Sequence, residues 1–337
     1  MSELIIATGE DLVRIRQEDS LWRTAKLLSG RGMQCVAIDP RNPHVLYAGS
    51  RGEGIWRSAS RGADWERADF PEADVFALAV SPVDGAVYAG TEPSKLFVSR
   101  DQVQSWRELK ALQDIPSRPN WSFPPRPWTS HVRSIAPSPF DAQLLLVGIE
   151  LGGLMRTEDG GATWSDHRPG AQKDVHALAW HPRVPGRAYE AGGGGAAWSH
   201  DQGLTWQPAD GGRDRHYTWG LATDPQDPDC WYVSANPGPR LAHDREQRAQ
   251  AYLYRWRGAG PWQPLGGGLP QPLDSFPYAL AASSNSLFAG LGDGKIYWSG
   301  NLGERWEQLK IAGEALPCVM ALSLLDERMN SRRAIES

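Results

Sequence analysis

The chain has 337 residues and a formal net charge of −5, with acidic and basic side chains interspersed along it. No Lys/Arg run stands above an ordinary solvated face, which argues against a nucleic-acid partner. No apolar run approaches the roughly 20 residues of a membrane span, so no membrane partner is expected. Glycine at 36, proline at 26 and tryptophan at 16 positions point instead to frequent chain reversals and heavy aromatic packing, the composition of an all-β chain with short strands.

The N-terminus, MSELIIATGEDLVRIR, lacks a basic start followed by the apolar stretch of a secretory signal. Cys35, Cys230 and Cys318 are odd in number and scattered without metal-ligand spacing, so they read as buried thiols of a cytoplasmic protein. Residues 4–7, 12–15 and those from Trp22 onward read as three strands that lack a fourth partner on their own side of the chain.

From Gly32 onward a repeat sets in. Each unit opens with a strand ending in a proline turn (VFALAVSP, VRSIAPSP, VHALAWHP, YTWGLATDP). A second strand follows (AVYAG, LLLVG, WYVSA), then a glycine-rich turn, then a third strand entering the phrase Ser/Thr-x-Asp-x-Gly-x-Thr-Trp. The phrase is cleanest from Thr157 to Trp164 and from Ser199 to Trp206, weaker at Ser58, Ser99 and Ser299, degenerate before Trp262 and vestigial at Asp19 to Trp22. Its closing tryptophans recur every 41 to 44 residues except at two spacings of 58 and 56. The Asp carboxylate accepts hydrogen bonds from its own turn, the Gly permits a backbone angle that other residues resist, and the Trp packs between sheets. Four short strands per period predict propeller blades. Six units run over residues 32–310, and residues 318–323 supply the innermost strand of a seventh, completed by the three N-terminal strands. The prediction is a single seven-bladed β-propeller of four-stranded antiparallel blades over residues 1–326, with a polar tail over 327–337.

On these boxes the chain resembles the BNR or Asp-box repeat superfamily, whose members include sialidases, sortilin-type receptors, xyloglucan-active glycosidases and photosystem assembly factors. The resemblance spans essentially the whole chain and implies that the boxes occupy the turns between third and fourth strands. It implies that ligands use the opposite face. Sialidase activity is not expected: the Arg-Ile-Pro signature is missing, the nearest string being Val13-Arg14-Ile15-Arg16, and no set of three pocket arginines is evident.

Two insertions account for the long spacings, and both belong to that opposite face: residues 110–130, a Pro-rich run with Trp121 and Trp128, and residues 237–250. Long loops on a rigid scaffold commonly carry function. Aligned on the proline turns, the inner strands present Gln34, Phe76, Arg133, His176, Trp219, Tyr278 and Met320 at one level. Two residues earlier they present Gly32, Asp74, His131, Asp174, Tyr217, Phe276 and Cys318, with His216 adjacent to Tyr217. The turns between second and third strands add Arg51, Glu92 and Glu150, with a bare GGGG turn in the fourth blade.

The predicted site therefore sits at the channel mouth above blades three to five. His176, Asp174, Glu150 and Tyr217 are its candidate catalytic groups. His131, Arg133, Trp219, His216, Glu92, Arg51, Tyr278 and Trp128 are candidate ligand contacts. His131, His176 and His216, from successive blades, are candidate metal ligands, although no short ligand motif supports them. His243 lies in the second insertion within reach of the pocket and is not counted among its residues. The chemistry stays open between two classes. One is a binding module for a small molecule, saccharide or protein, expected to be monomeric. The other is a hydrolase or lyase using His and carboxylate groups, glycoside-acting or metal-assisted. A buried site of paired His and carboxylate groups favours the enzyme, and a shallow aromatic surface favours the module.

Overall fold

A computed structural model describes residues 3–19, 21–123, 129–244, 246, 248–258 and 260–325. Seven antiparallel sheets stand in a ring, each packing its innermost strand against those of the next and previous sheets, so the chain is a seven-bladed β-propeller. The innermost strands of blades one to six are Met33–Ile38, Val75–Val80, Val132–Pro137, Val175–Trp180, Tyr217–Thr223 and Pro277–Ala282.

The seventh blade joins the two ends of the chain. Ala321–Leu324 pairs antiparallel with Glu3–Ala7, placing Ile5 opposite Ser323, and Leu12–Glu18 and Leu21–Leu28 complete the blade outward. Pairing the termini inside one sheet removes the two free edges that an open ring would expose. Two details differ from the expected four strands per blade. Ile311–Ala312 adds a short parallel strand outside Leu21–Leu28, and the fourth strand of blade three is reduced to one bridge between Arg156 and Ser165. The polar tail predicted for residues 327–337 lies outside the described residues.

Blades are spaced by a recurrent valine–glycine contact. Val75, Val132 and Val175 open the inner strands of their blades and Val319 stands two residues before Ala321–Leu324; each is fully buried and lies against a glycine in the second strand of the preceding blade. A Cβ added at Gly49, Gly90, Gly148 or Gly290 would come within 2.2 to 2.7 Å of these side chains. Any larger residue would push neighbouring blades apart, and overpacking of this kind typically costs about 1–3 kcal/mol.

The boxes have the turn chemistry expected of them. In the third blade the Thr157 hydroxyl donates to Asp159 at 2.8 Å and accepts from the Gly161 N–H, while Asp159 accepts from both the N–H and the hydroxyl of Thr163. Asp201 repeats the pattern, and Asn301 preserves its backbone half. The tryptophans of three boxes (Trp65, Trp206, Trp306) donate their indole N–H to the box glycine carbonyl. The Ser/Thr and Asp groups of the motif are thus spent within their own turn, while the indole N–H groups of Trp106 and Trp164 are buried without a partner.

One core position breaks the pattern. Glu190, in the second strand of blade four, stands where the other repeats have Ala48, Ala89, Val147, Val233 and Ala289. It is fully buried, accepts the Gln172 N–H at 2.8 Å through Oε2, and leaves Oε1 without a partner. Burial pushes its carboxyl up to about 8, against the pull of the Gln172 hydrogen bond. Among the described residues no helix is long and apolar enough to cross a membrane.

Candidate functional site

The alignment on proline turns has a structural cause: a β-bulge in the inner strand. In blade three Val132 faces Ile149 and Ser134 faces Gly148, leaving Arg133 as an extra residue between them. The same irregularity leaves Gln34, Phe76, His176 and Tyr278 unpaired in their blades, and Trp219 with Gly220 in blade five. A bulge bends the strand and re-aims the extra side chain. Here six bulges, with Met320 completing the seventh blade, turn one side chain per blade into a central channel of about 350 Å³.

At blades three to five this ring meets a cluster of ionisable groups, nearly all of it buried. His131, 1% exposed, sets Nε2 2.6 Å from Glu150 Oε2 and Nδ1 3.3 Å from Glu92. Arg133 approaches Glu150 at 3.7 Å and lies over the Trp219 ring at 4.4 Å. His176 donates from Nδ1 to the Thr218 carbonyl at 2.6 Å, and its ring packs on Trp219 with centroids 4.2 Å apart. Its Nε2 points toward Asp174 Oδ2 at 3.4 Å without a hydrogen-bond partner. Asp174 reaches this position because the GGGG turn yields room: a Cβ on Gly193 would fall 2.1 Å from Asp174 Oδ2.

The second insertion closes over this cluster. After the short helix Pro239–Ala242, His243 lies between two tyrosines. The Tyr278 hydroxyl donates to the Ala242 carbonyl at 2.9 Å, so it accepts from His243 Nδ1 at 2.9 Å. His243 Nε2 is then left to accept the Tyr217 hydroxyl at 3.1 Å. The donors form a directed chain, Tyr217 to His243 to Tyr278 to backbone, which ties the insertion to the ring.

Electrostatics separate the members. Burial alone would raise the Glu150 carboxyl, but the His131 hydrogen bond and the charge of Arg133 outweigh it and hold the group at about 2. Burial raises Tyr217, and the Asp174 and Glu150 carboxylates add to the shift. Tyr278 is also raised, chiefly by burial. Burial lowers His243 below the ordinary imidazole range despite the attraction of Glu150. The cluster thus offers an ionised Glu150 beside the unpartnered His176 Nε2, with tyrosines that stay protonated.

Of the sequence-predicted residues, His131, Arg133, Glu150, Asp174, His176, Tyr217, Trp219 and Tyr278 come together, with Glu92 behind His131. Arg51 is exposed and lies over Phe76 at 5.4 Å, at the rim. His216 is exposed and makes no part of the cluster, because the inner strand begins at Tyr217 and His216 belongs to the loop before it. The metal set His131, His176 and His216 is therefore not assembled; the residues whose donor atoms converge are Glu150, Asp174 and His176, all within 4.8 Å of one another. Trp219 is buried beneath Arg133 and His176, so it offers no open platform for a sugar ring. Trp128 lies outside the described residues. In the same insertion Trp121 is buried against Ile149 and Gly152 and its indole donates to Ser117, so it anchors the loop. His243 is the site residue that sequence reasoning left out; its only signal was membership of the second insertion.

No family model matches the sequence, and no curated protein matches it. Solved structures do. An ancestral GH74 enzyme is 21% identical over 82% of this chain, with a TM-score of 0.64. The GH74 xyloglucanase from Xanthomonas campestris is 19% identical over 91%, with a TM-score of 0.67. The chain spans 38% and 52% of those two longer chains. YCF48 bound to D1 peptide is 17% identical over 82% of this chain and 81% of its own, with a TM-score of 0.53. At such identities the likeness is one of fold, and it agrees with the superfamily resemblance read from the boxes: the chain is a seven-bladed β-propeller of the architecture that GH74 enzymes and YCF48 share.

Proposed function

We propose that the protein binds a small polar molecule at the channel mouth above blades three to five, in a pocket formed by Glu150, Asp174, His176, Arg133, Tyr217 and His243. One observation carries this reading. His176, which lines the channel, leaves Nε2 buried without a hydrogen-bond partner 3.4 Å from Asp174 Oδ2, and Asp174 Oδ1 is buried without a partner as well. Buried polar atoms in folded proteins are almost always satisfied, and an exception calls for a specific explanation. The converging groups are acceptors, so the ligand presents donors: hydroxyl or ammonium groups. Three free cysteines, two of them buried, fit the cytoplasmic setting proposed for it, and the pocket is complete within one chain, in keeping with a monomer.

A second reading adds chemistry to binding, as a hydrolase or lyase. It is favoured by the fixed His176 tautomer, whose free Nε2 is placed as a general base, beside a Tyr217 hydroxyl held protonated. The GH74 likeness points toward glycosides, but Glu150, held ionised at about 2, is suited to accept and not to protonate a leaving group. Protein docking is less favoured because Tyr217, Trp219 and Trp121, among the described aromatic groups of this face, are buried.

The test is a ligand screen by NMR on chelator-treated, histidine-labelled protein, using monosaccharides, xyloglucan oligosaccharides, polyols and small amines. Hits that shift the His176 ring resonances and vanish in Glu150→Gln support the binding reading, and release of reducing ends would move it to the hydrolase. Hits confined to exposed His216, or none at all, would end the pocket reading.

A further inference from the structure

We infer that Glu150, Asp174 and His176 form a binding site for a single divalent transition-metal cation, with Zn2+ preferred over Mn2+. This rests on the reading of the channel mouth as the ligand site and names its first occupant.

The argument starts from the tautomer. The Thr218 carbonyl can only accept, so His176 Nδ1 carries the proton of their 2.6 Å hydrogen bond and Nε2 is the ring atom left open to a ligand. Nε2 stands 3.4 Å from Asp174 Oδ2 without a hydrogen bond, and Asp174 Oδ1 is buried without a partner as well. Buried polar atoms left unsatisfied on two neighbouring side chains call for a specific explanation, and one shared cation would satisfy both. Ligands bonded to Zn2+ at about 2.0–2.1 Å in tetrahedral array lie about 3.3–3.4 Å apart, which is the separation already present. Glu150 offers the third donor atom, within 4.8 Å of both others.

The surroundings are those of a ligating cluster. A metal-bound histidine characteristically donates its other nitrogen to a carbonyl or carboxylate, and a ligating carboxylate is itself hydrogen-bonded. Thr218 and His131 fill these two roles for His176 and Glu150. Counting carboxylates and guanidinium alone, Glu92, Glu150 and Asp174 oppose only Arg133, an excess of two negative charges that a divalent cation cancels. One nitrogen and two oxygens suit Zn2+ or Mn2+, and the general affinity order places Zn2+ above Mn2+. Three protein ligands leave a position open to solvent or substrate.

The experiment is calorimetric titration and native mass spectrometry of the full chain after chelator treatment, with ZnCl2 or MnCl2 alone and no organic ligand. The expected result is one equivalent of Zn2+ per chain, with Mn2+ weaker. Asp174→Asn and His176→Ala should abolish it, His131→Gln should weaken it about 10- to 100-fold, and His216→Ala should leave it unchanged. Should His176→Ala fail to fold, Zn2+ added to the wild type must shift the His176 Nε2 resonance and leave that of His216 in place. Absence of saturable binding, or binding that survives Asp174→Asn, overturns the inference. If metal binding fails while chelator-treated protein still takes small molecules at His176, the pocket reading stands alone. If metal binds and no small molecule does, the metal site stands and the pocket reading falls.

Discussion

Replacing Glu190 with glutamine removes a carboxyl that blade four buries where the other blades bury an aliphatic group. The folded-state carboxyl titrates at about 8 against an ordinary 4.5. Between those values the native state holds a proton that the unfolded chain releases, so stability falls as pH rises through this window and levels off above it. At about 1.4 kcal/mol per unit, the penalty is about 4 kcal/mol at pH 8 and approaches about 5 kcal/mol above it. Glutamine keeps an oxygen for the Gln172 N–H and never ionises. Its NH2 meets the same surroundings as the protonated carboxyl, so near pH 5 the two proteins should have similar stability. Urea unfolding at pH 5, 6.5 and 8 reads the difference directly. Glu190→Gln should gain on the wild type steadily, reaching several kcal/mol at pH 8. Subtracting the two curves cancels the titration of Glu150 and of the buried histidines. A wild-type stability that does not decline relative to the variant between pH 5 and 8 would refute the reasoning, because it would mean that the carboxylate is ionised and compensated inside the blade.

Three further outcomes follow from single contacts. Asp159→Ala strips the box of its acceptor for Thr163 and should cost about 1–2 kcal/mol in thermal or urea unfolding, whereas Asp159→Asn, already the arrangement at Asn301, should cost less; neither should alter the His176 resonances. Gly193→Ala drives a Cβ into Asp174 Oδ2, so it should displace that carboxylate, shift the His176 ring resonances and lower stability by about 1–3 kcal/mol. Tyr278→Phe removes the bond to the Ala242 carbonyl, so amide exchange should accelerate over residues 239–244 while the blades keep their protection, a local loss of about 0.5–1.5 kcal/mol.

The architecture was legible because it is written seven times. A period near 42 residues, a proline turn and an Asp box each predict local structure, and repetition multiplies the signal. The termini shared a blade because the count of strands left no other partner for residues 4–7. The irregular features were not legible: the parallel pair Ile311–Ala312 has no repeat to announce it, and the fourth strand of blade three shrank to one bridge without a sequence mark. At the site, strand positions transferred from blade to blade, which is why Arg133, His176, Trp219 and Tyr278 were found together. Loop positions did not transfer. His216 looked adjacent to Tyr217 in sequence, but it precedes the strand and faces solvent, while His243, in an insertion with no counterpart in other blades, is placed by its two tyrosines.

The bulge explains why a ring so regular can hold so irregular a set of side chains. An unpaired inner-strand residue owes nothing to the ladder, and the buried residue before it (Met33, Val75, Val132, Val175, Thr218 or Pro277) keeps its ladder partner whatever follows; the three valines are also seated on a neighbouring glycine. Glutamine, phenylalanine, arginine, histidine, tryptophan and tyrosine thus occupy equivalent places without penalty to the sheet. The Asp box is the opposite case, since its Ser/Thr and Asp side chains are bonded within their own turn. Chemistry can accumulate only where the repeat leaves a residue uncommitted, and that places it in the ring of bulges and the loops above it. A consequence can be checked within blade four: exchanging Val175 should disturb the fold, while exchanging His176 for glutamine should change the site and leave the unfolding midpoint nearly where it was.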